Sequence, residues 1–130
     1  MTPTQRTLAK LRDDGFEPAV VEKWNPHVRI RQDLFGFADV LAMKPGCAPL
    51  LVQATSTGVS ERRKKILAEP RALIALRSGF AIEIWGWRKL KVKRGGKATR
   101  MASRVESVVE TDFFVDGRCT CEVTEKEGAA

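Results

Sequence analysis

Histidine occurs once in 130 residues and cysteine three times. A structural zinc site takes four such ligands in paired spacing. Cys119 and Cys121 stand as Cys-Thr-Cys, Cys47 lies in a Pro/Gly turn, and His27 follows Asn25-Pro26. Four residues so placed make no zinc motif, and three thiols make no disulfide framework. No run approaches the roughly 18 apolar residues of a membrane span. The opening Met-Thr-Pro-Thr-Gln-Arg sets no apolar segment behind a basic one, so no secretory signal is expected. The expectation is a cytoplasmic protein, bacterial or phage-encoded, with reduced thiols and no membrane partner. One domain is the default at this length, which suffices to bury a core without disulfides.

Acid is scarce where base is dense. The formal net charge is +7. Residues 1–104 hold 21 basic and 9 acidic side chains, a net of +12, while residues 105–130 hold 2 and 7, a net of −5. Arg88, Lys89, Lys91, Lys93, Arg94, Lys97, Arg100 and Arg104 follow one another with no acid between them, and Arg62-Arg63-Lys64-Lys65 forms a second cluster. A polyanion suits such clusters, because each neutralised phosphate releases condensed counterions. A solvated surface or a flexible hairpin is the plainer alternative.

Punctuation and periodicity divide the chain. Thr2-Pro3-Thr4-Gln5 predicts a capped helix over 3–14, stopped at Gly15. A first strand is expected over Phe16–Trp24 and a short extended stretch over 29–32. A second strand follows over Phe37–Met43, then a turn over 44–49 and a third strand over Leu50–Thr55, antiparallel to the second. Helices follow over 60–68 and from Pro70 to Gly79, then a strand over Phe80–Trp87. Leu90 and Val92 alternate with lysines, as in an edge strand or ribbon arm, Gly95-Gly96 reads as a turn, and a last strand is expected over 105–115. Residues 1–116 read as one domain with a basic β appendage over 88–116. Residues 117–130 read as an acidic, flexible tail.

Asp39 sits in an apolar stretch, and so does Gln53. Burying a carboxylate costs several kcal/mol (order of magnitude) unless something pairs it. Across a hairpin centred on Gly46 the two positions are equidistant from the turn, so they can face each other on one side of adjacent strands. An Asp oxygen, a Gln amide oxygen and the Ala54 carbonyl would make a partial shell for a hard divalent cation. The plain alternative is that Asp39 makes a strand-end hydrogen bond and Gln53 is a satisfied core amide. Trp85 and Trp87 share a strand face and read first as core, with base stacking as the alternative.

Gly36-Phe-Ala-Asp39-Val-Leu-Ala, a hairpin turn, and Leu-Leu-Val-Gln53-Ala-Thr55-Ser resemble the core of the PD-(D/E)xK nuclease superfamily. They are most similar to its Holliday-junction-resolvase and VRR-NUC branch. The resemblance covers about residues 3–87, including the helix–Gly15–Phe16–strand opening. It implies an α/β fold, with an αβββαβ restriction-endonuclease-like core, a mixed sheet flanked by helices, and the basic β appendage outside it. It implies Asp39 and Gln53 as metal ligands, Mg²⁺ or Mn²⁺ as cofactor, and phosphodiester hydrolysis on DNA, branched or single-stranded, by a homodimer. Thr55 stands where the family has Lys, and the leading-helix Glu is replaced within Thr4-Gln5-Arg6. Lys64, with Arg63 or Lys65, is the candidate migrated cation, and Asp33 or Glu83 the candidate extra carboxylate. Candidate nucleic-acid contacts are Arg29, Arg31, Arg62, Arg63, Lys64, Lys65, Arg88, Lys89, Lys91, Lys93 and Arg94. Other readings are an inactive module that binds DNA or RNA, and a regulator that binds a host protein.

Overall fold

Thr2 opens helix α1 (Pro3–Asp13) through a reciprocal capping box: its hydroxyl accepts from Gln5 N–H, and the Gln5 side chain accepts from Thr2 N–H. Gly15, at φ +92°, ends the helix in a conformation that favours a residue without Cβ. The computed structural model describes residues 1–115 and 118–119. The expected tail over 117–130 therefore lies almost wholly outside the described residues.

The chain continues as β1 (Glu17–Val20), β2 (Lys23–Asn25), β3 (Ile30–Gln32), β4 (Val40–Met43) and β5 (Leu50–Thr55), then α2 (Val59–Leu67) and α3 (Pro70–Arg77). Strands β6 (Ala81–Lys91) and β7 (Thr99–Val108) follow, then a 3₁₀ turn over Glu110–Phe113 and the two-residue strands β8 (Phe114–Val115) and β9 (Arg118–Cys119). Five strands form one mixed sheet in the order β1-β4-β5-β6-β7. Every neighbouring pair is antiparallel except β5 and β6, which the α2–α3 crossover joins in parallel. This is a mixed α/β architecture with helices on both sheet faces.

Alternation along the strands sorts the core into two layers. Leu51, Ile82, Ile84 and Val108 meet Ile66 of α2, Leu73 of α3, Phe37 and Phe113 on one face. Val40, Ala42, Leu50, Val52, Trp85 and Trp87 meet Leu11 of α1 on the other. The two indoles are thus core residues. Trp87 Nε1 donates to Thr7 Oγ1 at 2.9 Å, and that fully buried hydroxyl donates in turn to Pro3 O. Among the described residues no helix is long and apolar enough to cross a membrane.

Four expected strands have different bounds. The strand expected over 16–24 divides after Val20: Val21 N–H bonds Asp39 O, and the chain then leaves the sheet as a separate ribbon, β2 paired with β3. The strand expected from Phe37 begins at Val40, because Ala38 bridges back to Leu34 around a tight turn at Gly36. The last strand occupies 99–108, not 105–115, and β6 does not end at Trp87. The two form one long hairpin whose register pairs Ile82 with Val108 and Lys91 with Thr99. Its distal half is mostly exposed, in keeping with the ribbon arm expected from the alternation of Leu90 and Val92 with lysines. At the edge of the sheet, β1 carries Pro18 opposite Ala42.

Gly86 is where α2 comes closest to the sheet. A Cβ built there would collide with Val59 Cγ2. Gly86→Ala should therefore destabilise the protein by about 1–3 kcal/mol through overpacking. The loss should be recovered in part by Val59→Ala, as read from urea unfolding of the single and double variants.

Candidate functional site

The antiparallel register of β4 and β5 pairs Val40 with Val52 and Leu41 with Leu51. One step further, Asp39 stands opposite Gln53, and Asp39 N–H donates to Val52 O at 2.8 Å. Both side chains lie on the α2–α3 face of the sheet. Gln53 Nε2 donates to Asp39 Oδ2 at 2.8 Å, and Ala54 N–H donates to the same oxygen at 2.9 Å. Asp39 is 5% exposed and Gln53 3%. Gln53 thus turns its nitrogen, not its oxygen, toward the carboxylate, and its Oε1 is buried with no hydrogen-bond partner. Ala54 reaches Asp39 through its N–H rather than the carbonyl assigned from sequence.

Two more carboxylates complete the cluster. Glu22 and Asp33 bring oxygens that lie, with one from Asp39, within 4.8 Å of each other. These three acidic residues could hold a metal ion. Glu22 immediately precedes β2 and Asp33 immediately follows β3, so the two roots of the small ribbon both converge on Asp39. The Asp39 carboxyl is pushed up to about 8, first by burial and then by a hydrogen bond with Asp33; the Ala54 N–H opposes the rise, and the negative charges of Asp33 and Glu22 add to it. Metal-free, the cluster holds a proton at neutral pH. Three crowded carboxylates are donors of the kind a hard divalent cation takes.

Cations surround these acids. Arg31 reaches Glu22 at 2.8 Å, and Lys65 lies 3.7 Å from Asp33. Arg31, Gln32, Asp33, Gly36, Lys65 and Arg71 line a polar cleft of about 430 Å³. Arg71 is held at the cleft wall by Glu69, over Gly36, where a Cβ would meet both side chains.

The other residues singled out from sequence are placed as follows. Lys64 lies away from the cluster, exposed and beside Glu61 on α2; the neighbour that reaches an acid of the cluster is Lys65. Thr55 closes a turn, its hydroxyl bonded to Thr57 O and accepting from Thr57 N–H. Arg63 is committed to Glu106, Asp112 and Ser107 O, tying α2 to the end of β7. Glu83 faces the α1 side, accepting from Trp85 Nε1, and is not in the cluster. Arg62 is half-buried on α2. Arg29 lies in the β2–β3 turn, and Arg88, Lys89, Lys91, Lys93 and Arg94 lie on the distal β6–β7 hairpin, exposed. Strand alternation from Ile84 and Gly86 puts Arg88, with Arg100 and Arg104 on either side of its partner Ala102, on the same sheet face as Asp39.

Glu22 is the member that sequence reasoning missed. It lay within an expected strand, and nothing in its neighbours marks the kink that turns it inward. The only available signal was Asn25-Pro26, a turn that makes 22 and 33 the flanks of a hairpin. Comparison with family models, curated proteins and solved structures returned no match to this chain.

Proposed function

We propose that the chain is a nucleic-acid-binding protein of the PD-(D/E)xK nuclease fold that acts as a metal-dependent phosphodiesterase on DNA. One observation carries this reading: Asp39 and Gln53 meet side by side at the ends of antiparallel β4 and β5, within a three-carboxylate cluster beside a basic cleft. The strand order supports it. Helix α1, the antiparallel series β1-β4-β5, a helical crossover and a parallel β6 follow the αβββαβ order that the resemblance implies.

Asp39, Asp33 and Glu22 are the groups that would hold Mg²⁺ or Mn²⁺, and Gln53 would join them only with its amide turned so that the oxygen faces Asp39. Such an ion supplies Lewis-acid stabilisation of charge on a phosphodiester. Arg31, Lys65 and Arg71 line the cleft where phosphates would be held, and Lys65 is the residue suited to the part of the missing strand lysine. The basic β6–β7 hairpin leaves the sheet at the same end as the cluster. It extends the positive surface past the cleft.

A second reading is supported by Thr55. Its hydroxyl is bonded within its own turn and offers no cation, which favours an inactive binding module. The two readings separate in an assay of the full chain with single-stranded, branched and duplex DNA in Mg²⁺ or Mn²⁺. The phosphodiesterase reading expects cleavage that falls about 100-fold in Lys65→Met, the scale for losing one charge-stabilising group, with cation affinity kept within about twofold. DNA binding without cleavage in either metal would leave the inactive module.

A further inference from the structure

The small β2–β3 ribbon has features that the carboxylate cluster does not use. Trp24 is 58% exposed, whereas Trp85 and Trp87 are buried in the core. The Trp24 indole belongs to neither core layer. The register pairs Trp24 with Arg31, so the indole and a cleft-lining guanidinium share one ribbon face. Lys23 and Arg29 have no ion-pair partner among the described residues, and residues 23–32 contain no acid. Arg29 holds φ +53°, a left-handed conformation that Gly or Asn adopts more readily, yet the turn carries a cation there. The ribbon is therefore a cationic arm with one exposed aromatic side chain, and it forms a wall of the polar cleft.

We propose that this ribbon grips single-stranded nucleic acid, with the Trp24 indole stacked on an unpaired base and Lys23, Arg29 and Arg31 on the flanking phosphates. The inference deepens the nucleic-acid reading above and rests on it, since it names the substrate class as one with unpaired bases. A π-face is available on every base once it is out of a duplex, so stacking discriminates single strands without reading sequence. In a duplex the same faces are covered by neighbouring base pairs, and Trp24 would have only phosphates within reach.

The test uses the full chain in EDTA, which keeps binding separate from cleavage. A 12-residue oligo-dT and a blunt duplex of equal length are the probes. Because Trp24 is the one exposed tryptophan, oligo-dT should quench the intrinsic emission and shield it from acrylamide, while the duplex should do neither. Trp24→Ala should weaken oligo-dT binding at least about fivefold, the equivalent of ~1 kcal/mol per stacked base, with duplex binding changed less than about twofold. Trp24→Phe should restore most of the affinity. Circular dichroism of each variant, and the acrylamide measurement on the unsubstituted chain, keep misfolding from mimicking the result. Absence of quenching, or equal losses on both probes, overturns the grip. Cleavage without Trp24 quenching would sink the grip alone. Quenching without cleavage would sink only the phosphodiesterase reading, and no binding to either probe together with no cleavage in either metal would sink both.

Discussion

Asp39→Asn should abolish binding of Mg²⁺ or Mn²⁺ and, in metal-free solution, make the protein more stable than the unsubstituted chain at alkaline pH. Burial and the neighbouring acids raise the Asp39 carboxyl to about 8 in the folded protein. The folded state thus binds a proton more tightly than the unfolded chain. The stability linked to that proton is fully present below the ordinary carboxyl range. It is lost as pH rises through about 8, where a charge must be carried in a buried site. Asn preserves the neutral shape and can still accept from Gln53 and Ala54 through its oxygen. Thermal unfolding in EDTA should give equal stability for the two proteins near pH 4. The variant should gain on the order of a few kcal/mol by pH 9. In Mn²⁺ the unsubstituted chain alone should gain stability. A cation at 100 times its dissociation constant adds about 2.7 kcal/mol to a protein that binds it only when folded. A variant that kept the cation-dependent rise in melting temperature would remove Asp39 from the metal site. Loss of metal-dependent cleavage should accompany loss of the rise.

Phe37→Ala should cost about 3–5 kcal/mol, the scale for emptying a fully enclosed aromatic site. Phe37 has no exposed surface and packs in the layer formed by Leu51, Ile66, Ile82, Ile84 and Phe113. It also lies two residues before Asp39, on the segment that folds back between Leu34 and Ala38. A cavity there undermines the sheet layer and the seat of the carboxylate together. Urea unfolding should show a lower midpoint with little change in slope. The cation affinity of the surviving folded fraction should fall as well. A variant with an unchanged midpoint would show that the segment collapses to fill the space, and that Phe37 does not anchor it.

Sequence reasoning reached the central geometry because a hairpin leaves little freedom. Once Gly46 was taken as the centre of the turn, antiparallel pairing brought residues 39 and 53 opposite each other, as the Gln53–Asp39 hydrogen bond has them. Capping residues were equally legible: Thr2, Gln5 and Gly15 bound α1 through local chemistry alone. What was not legible depends on contacts distant in sequence. The kink at Val21-Glu22 exists because Val21 bonds Asp39 O, an interaction 18 residues away that no local pattern records. The distal β6–β7 hairpin was legible as a ribbon arm turning at Gly95-Gly96, but without a continuous buried face its return strand could not be placed, and β7 runs over 99–108 rather than 105–115. The choice of Lys65 over Lys64 follows from helix phase: one residue of difference is about 100° around the axis, enough to turn one ammonium toward Asp33 and the other toward Glu61.

Pro18 has a consequence for how this molecule meets its neighbours. Because Val21 directs its N–H inward to Asp39 O, the even-numbered residues of β1 direct theirs outward, and at 18 there is no hydrogen to offer. The opposite border of the sheet carries Arg100 and Arg104 on β7. One margin thus lacks a donor where a docking strand would need it, and the other presents charge where a strand would have to pair. Both borders of the sheet are blunted against strand-by-strand growth from molecule to molecule.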